Sequence, residues 1–242
     1  MQIIEKFKAK HAAMYDHRRP VIAFLGDSVT QGCFEIFDDH GHIETKFCPE
    51  DAYSEKVGHI LGMLYPNAAP VIVNAGISGD TSWNGLTRLE RDVLSFRPDL
   101  VTVCYGLNDA GWGEGKIDEY EKSMRGIFEG IKASGAEAIF LTPSLRSDDT
   151  DYRNPVKMLE DCVRQNAKNE REGWLQKYVE RGRKAAKEAG VPICDCTELW
   201  LTLKAGGVNT NALLANDVNH PSREMHWMFA YELVKTMFEA YA

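Results

Sequence analysis

Short apolar runs alternate with longer amphipathic stretches along most of the chain. The runs at 21–25, 71–73, 100–104, 138–141 and 191–194 are dominated by Val, Ile, Leu, Phe and Ala. Their shortness and β-branched content predict buried strands. Stretches at 51–64, 84–96, 117–134, 155–189 and 222–240 carry apolar positions at helical spacing, and 2–16 predicts a peripheral helix. Strand alternating with helix predicts an α/β fold with a parallel sheet covered on both faces. Pro98, Pro143 and Pro192 fall at strand edges, where a missing N–H costs no ladder bond. Gly135 and Gly190 follow helical runs, where a left-handed residue is wanted.

This pattern places the polar, glycine-containing segments. Ligands of an open parallel sheet collect beyond the carboxyl ends of its strands. Gly26-Asp27-Ser28 follows the first strand. Asn74-Ala75-Gly76-Ile77-Ser78-Gly79 follows the second, and Gly106-Leu107-Asn108-Asp109 follows the third. Three such turns therefore converge on one edge of the sheet.

The residues at that edge suit acyl transfer. A serine needs a base to become a nucleophile, and the base needs an orienting group. Ser28 sits at a strand-to-helix turn, where its hydroxyl can project from the sheet. His220 is the candidate base. Asp217, three residues earlier, is one turn away from its Nδ1. The Ser28 N–H, the Gly79 N–H and the Asn108 side-chain amide are candidate donors to the oxyanion, with Gly79 letting backbone approach a ligand closely. Asp27 is a candidate substrate contact, although an N-cap role suits it better. Trp83 and Trp112 follow the second and third turns and are candidates to stack on a sugar ring or hold an acyl chain; core packing is the alternative. Arg146 and Arg153 lie in a long segment that could overhang the site. His226 has the position of a packing residue. His40 and His42, with Asp38 and Asp39, read as a solvated loop rather than a metal site.

Gly26-Asp27-Ser28, Gly79 within 74–80, Gly106-Leu107-Asn108-Asp109 and Asp217-Val218-Asn219-His220 resemble the four blocks of the SGNH, or GDSL, hydrolase family. The blocks occur in family order and span almost the whole chain. The resemblance implies a flavodoxin-like three-layer α/β/α sandwich with a five-stranded parallel sheet. It implies ester hydrolysis without cofactor or metal, with Ser28 as nucleophile, Asp217 and His220 completing a triad, and Gly79 and Asn108 joining Ser28 in the oxyanion hole. The late Asn219-His220-Pro221 loop resembles that of carbohydrate O-acetylesterases, so the expected partner is a small-molecule or oligosaccharide ester. A lysophospholipase or acyl-thioester hydrolase of the same family is the alternative. A metal-dependent phosphoesterase and a non-catalytic binding module are more distant ones. The other common serine-hydrolase fold places its nucleophile in Gly-x-Ser-x-Gly, a pentapeptide absent from the 242 residues.

Bulk properties narrow the setting. No Gly/Ser/Pro linker or repeat divides the chain, so residues 1–242 read as one domain. The net charge of −8 argues against nucleic acid or an anionic membrane as partner. The charged first ten residues do not read as a secretory signal, and no segment reads as a membrane span, so a cytoplasmic protein is expected. The six cysteines include no C-x-x-C pair and read as free, mostly buried thiols.

Overall fold

The computed structural model of the chain describes residues 1–149, Val156 and 159–241. In chain order its strands are β1 (Val21–Gly26), β2 (Cys33–Asp39), β3 (His42–Phe47), β4 (Val71–Gly76), β5 (Leu100–Cys104), β6 (Glu137–Leu141) and β7 (Ile193–Cys194). All five apolar runs of the sequence lie in one parallel sheet, ordered β4-β1-β5-β6-β7. Every residue of β5 is buried, as a central strand covered on both faces requires. Counting only sheet strands, this is the flavodoxin-like order 2-1-3-4-5, whose switch point lies between β1 and β5. The segment that follows β1 is Asp27-Ser28.

The helices are α1 (Gln2–Ala12), α2 (Ser28–Gln31), α3 (Tyr53–Leu64), α4 (Ser82–Asp92), α5 (Ile117–Ala133), α6 (Glu160–Arg171), α7 (Trp174–Ala189), α8 (Cys196–Ala205) and α9 (Arg223–Glu239). One layer is built on α3 and α9. Phe24 of β1 meets Tyr53 of α3 edge-on at 5.6 Å, and Tyr53 meets Phe229 of α9 at 6.2 Å. In the other layer α5 packs against α4 and α7, and its Phe128 meets Phe140 of β6 at 6.0 Å. These buried rings are part of the apolar core that holds helices to sheet. Cys33, Cys48, Cys104, Cys194 and Cys196 are free and buried.

Two expectations are corrected and one unexpected element appears. The stretch 155–189 is not one helix. Gly173, at φ 72°, separates α6 from α7, because a left-handed residue cannot continue a helix. The residues around His40 and His42 are exposed, but they are not a loop. They close an antiparallel hairpin of β2 and β3 through His40 and Gly41, both at positive φ. Helix α8 has no counterpart among the expected elements. Its signal was Asp195-x-x-Glu198, a capping pattern, and the Asp195 carboxylate accepts the Glu198 N–H at 3.1 Å. Arg153 lies outside the described residues.

One buried ion pair ties the strand ends together. Arg88 lies on the inward face of α4, with Ser82, Gly85 and Leu89. Its guanidinium donates to Asp80 Oδ2 at 2.6 and 2.9 Å, to the Ala75 carbonyl at 2.7 Å and to the Gly26 carbonyl at 3.0 Å. It also donates to the Tyr105 hydroxyl at 2.9 Å, which passes a bond on to Asp80 at 2.8 Å. The ends of β4 and β1 and the residue after β5 thus share one cation. Arg88→Ala strands a buried carboxylate and two carbonyls. Breaking such a pair costs about 3–5 kcal/mol, so urea unfolding of the variant should show a loss of that order. A loss below about 1 kcal/mol would contradict the role given to this pair.

Candidate active site

The Asp27 carboxylate caps α2 by accepting the Val29 N–H at 3.0 Å, which fixes the turn that carries Ser28. Ser28 stands in the first turn of α2, where backbone N–H groups have no helical partner. Its Oγ lies 3.0 Å from His220 Nε2. His220 Nδ1 lies 3.0 Å from the Phe34 carbonyl. A carbonyl oxygen only accepts, so Nδ1 carries the ring proton and Nε2 is left to accept from the serine. Burial holds the His220 pKa below its ordinary value, and the bond to Phe34 opposes that shift. The neutral imidazole a base requires is therefore the favoured form at neutral pH.

The expected contact between Asp217 and His220 is not made. Asp217 is exposed, with a left-handed φ of 58°, and both imidazole nitrogens face other groups. Asn216 explains this. Its Oδ1 accepts the N–H groups of Val218, Asn219 and His220 at 3.0, 2.9 and 2.9 Å. The turn closes around Asn216, and the side chain of Asp217 is left on its solvent side. The Ser147 N–H donates to the Val218 carbonyl at 2.8 Å and anchors the turn to the segment after β6.

The other expected donors belong to loops that are stitched to β1, to α2 and to each other. The Ile77 N–H donates to the Gly26 carbonyl at 3.1 Å, and the Ser78 N–H donates to Gln31 Oε1 at 2.7 Å. Gly79 is the third residue of a turn closed by Asp80 N–H to Ile77 O at 3.1 Å. Its φ of 76° is the conformation that selects glycine at this position. A Cβ there would meet nothing within 4 Å, so backbone conformation, not crowding, selects this glycine. Asn108 Nδ2 donates one hydrogen to the Asp80 carbonyl at 2.9 Å, and its amide carries a second. Asp109 is buried and accepts from the Ser82 and Gly106 N–H groups at 2.8 and 3.1 Å, joining the second loop to the third.

Asp27 is corrected as a substrate contact, since it is only 1% exposed and engaged as a cap. Trp83 is half-buried and Trp112 exposed; their rings meet edge-on at 6.3 Å. Arg146 is buried and donates to Asn166 at 3.2 Å. His226 packs in the core, as expected, and its Nδ1 accepts the Tyr53 N–H at 2.9 Å. Sequence reasoning missed Arg88, Asp80 and Phe34. Arg88 was findable as a cation on the apolar face of α4. Phe34 acts through a backbone atom, which leaves no trace in residue type. Among the described residues no three His, Cys, Asp or Glu side chains gather as a metal site would need, and no helix is long and apolar enough to cross a membrane.

The chain belongs to the GDSL-like lipase/acylhydrolase family, which it matches over residues 24–228. It is 32% identical over 138 residues to an acetylxylan esterase of Geobacillus stearothermophilus, a match covering 50% of this chain and 58% of that one. It is 39% identical over 70 residues to thioesterase 1/protease 1/lysophospholipase L1 of Escherichia coli, covering 29% of this chain and 33% of that one. The fold also resembles the crystal structure of a two-domain esterase active on acetylated mannans. There the TM-score is 0.68 at 20% identity, over 98% of this chain and 53% of that one.

Burial pushes the Asp27 carboxyl up to about 7, with the negative charges of Asp109 and Asp80 adding to the effect. The unfolded chain ionises this group near 3.8, so the unfolded state releases its proton first. Stability held below about pH 4 is therefore lost as the pH rises through 7. Asp109, pushed up to about 6 chiefly by burial, adds to the lower part of that slope. Asp27→Asn keeps a capping oxygen and removes the ionisation. The fall in melting temperature between pH 6 and 7.5 should shrink markedly in this variant. An unchanged slope would show that Asp27 is not the group responsible.

Proposed function

We propose that residues 1–242 form one esterase domain that hydrolyses carboxylic esters through an acyl-enzyme on Ser28, and that its substrate is an O-acetylated carbohydrate. The observation that carries the first part is the buried 3.0 Å contact between Ser28 Oγ and His220 Nε2, in a ring whose tautomer is fixed from the other side. In the first half-reaction Ser28 Oγ attacks the ester carbonyl carbon while its proton passes to His220 Nε2. The developing oxyanion takes hydrogen bonds from the Ser28 N–H, the Gly79 N–H and the free hydrogen of Asn108 Nδ2. Each such donor is worth about 3 kcal/mol in the transition state. The tetrahedral intermediate collapses, and the leaving alkoxide takes the proton from the imidazolium. Water then repeats the sequence on the acyl-enzyme and releases the acid.

The carbohydrate reading is supported by the names of the relatives and by one structural feature. Trp112 is 61% exposed, four residues past Asn108, with its ring braced edge-on against Trp83. The Lys116 ammonium covers Trp83 at 5.6 Å, so Trp112 is the ring left open for stacking on a sugar.

A fluorophosphonate probe should label the wild-type protein and fail to label Ser28→Ala. Folded wild-type protein that resists labelling would overturn the esterase reading. In a series of p-nitrophenyl esters, acetate should be turned over faster than octanoate; the reverse order favours the lysophospholipase alternative. Trp112→Ala should raise KM for acetylated xylo-oligosaccharides about fivefold to tenfold, the equivalent of one lost stacking contact, and leave p-nitrophenyl acetate hydrolysis nearly unchanged. Equal effects on both substrates would remove Trp112 from sugar binding.

A further inference from the structure

We propose that the backbone carbonyl of Phe34, and not the carboxylate of Asp217, is the group that orients the catalytic base His220. This rests on the reading of Ser28 and His220 as nucleophile and base. It departs from the triad that the spacing Asp217-x-x-His220 suggests.

Four features support it. The first is the contact itself, Nδ1 to Phe34 O at 3.0 Å, with both groups buried. The second is a bulge. Cys33 pairs with Phe47 and Ile36 with Thr45, so Phe34 and Glu35 together oppose Lys46 alone. An extra residue of this kind disrupts the local ladder and re-aims the backbone, a device found beside active sites. Here it turns the Phe34 carbonyl towards the imidazole.

The third feature is a clamp on Phe34. Its ring is fully buried. On one side the Arg223 guanidinium stacks over it at 4.3 Å, and on another the His226 ring lies 4.9 Å away. Arg223 is itself held by Glu35 and by Asp51, the latter at 2.9 Å. A cation over an aromatic face and a salt-bridged guanidinium restrict both the ring and the adjacent peptide. The carbonyl is thereby a fixed dipole and not a mobile loop atom. His226 does not compete for the role: burial drives its pKa down to about 3, and its Nδ1 is committed to the Tyr53 N–H.

The fourth feature is the turn that carries Asp217. Asn216 takes three backbone N–H groups, and the Leu214–Pro221 bridge closes the base of the loop. To reach Nδ1, Asp217 would have to displace Phe34 and reopen this turn.

The arrangement has a chemical consequence. When Ser28 Oγ forms its bond to the acyl carbon, Nε2 takes the proton and the imidazolium keeps its Nδ1–H on the Phe34 oxygen. That oxygen accepts the bond without becoming protonated. A neutral dipole fixes the tautomer as a carboxylate does, but stabilises the cation less. His220 is therefore a weaker base than one in a carboxylate triad, and the acid limb of kcat/KM falls below the ordinary imidazole range.

Asp217→Asn is the discriminating variant, because asparagine tolerates the left-handed backbone there while losing the charge. It is compared with His220→Ala on p-nitrophenyl acetate across pH. Removing the orienting carboxylate of a working triad costs about 10⁴ in kcat. Asp217→Asn should instead keep kcat/KM within about threefold of wild type, with the acid limb unmoved. The exchange-protected Nδ1–H proton resonance, assigned by its loss in His220→Ala, should persist unshifted in Asp217→Asn. Phe34→Ala, which releases the clamp, should lower kcat tenfold or more at unchanged KM and shift or broaden that resonance. A loss of tenfold or more in folded Asp217→Asn, or a displaced resonance, overturns the proposal and leaves the esterase reading intact. Near wild-type turnover in His220→Ala overturns the assignment of the base itself.

Discussion

The buried pair of Arg88 and Asp80 is the constraint on which the rest of the site depends. Burying two charges is costly, and the cost is met only when every donor finds an acceptor. Here the guanidinium spends its hydrogens on the Asp80 carboxylate, on the carbonyls of Gly26 and Ala75 and on the Tyr105 hydroxyl. Those groups belong to the ends of β1 and β4 and the residue after β5. The backbone of Asp80 then carries the constraint outward, because its carbonyl receives Asn108 Nδ2 and its N–H closes the turn of Gly79. One cation beneath the sheet edge thus sets the relative positions of the Ser28 turn, the Gly79 turn and the Asn108 loop. Donors fixed in this way need no reorganisation when charge develops, which is the condition for strong oxyanion stabilisation.

The opposite wall of the site is organised by the hairpin of β2 and β3. A two-stranded ribbon is marginally stable alone. This one is pinned at its base, where Phe34 is buried and Arg223 bridges Glu35 and Asp51. The proposed catalytic row therefore runs from Ser28 on one side of the sheet edge, through His220, to the Phe34 carbonyl at the base of the hairpin. The electrostatics differ along the row. Ser28 stands among rigid backbone donors, and His220 sits in a buried pocket that disfavours its charge. As the proposed base, it holds a transferred proton weakly and returns it readily to a leaving alcohol.

The sequence showed the sheet better than it showed the site's supports. The central strands β1, β5 and β6 were legible because strands covered on both faces are largely apolar, and the edge strands β4 and β7 because their short runs are apolar too. Ser28, Gly79, Asn108 and His220 were legible as candidates because few residue types can serve as nucleophile, positive-φ turn, neutral donor or base. The hairpin was not: Glu35, Asp38 and Asp39 break any alternation in β2, and β3, where Ile43, Thr45 and Phe47 do alternate with Glu44 and Lys46, is short and polar. Asp217 misled for a related reason. A three-residue spacing permits a turn that brings the carboxylate to the imidazole, and equally one that turns it away. The choice was made by the side chain of Asn216, through three hydrogen bonds that no spacing rule contains. Phe34 supplies a main-chain oxygen, and a main-chain oxygen has no residue type.

The central claim is that three loops, locked from below, present Ser28 Oγ and three oxyanion donors as one preorganised set. A crystal structure of the phosphonylated protein tests it most directly, because the phosphonyl oxygen stands where the oxyanion would. Phosphorus should be bonded to Ser28 Oγ and that oxygen should lie within hydrogen-bond reach of the Ser28 N–H, the Gly79 N–H and Asn108 Nδ2, with the Arg88 network unmoved. An adduct whose oxygen points to solvent, or one that forms only after the Gly79 turn has rearranged, would contradict it.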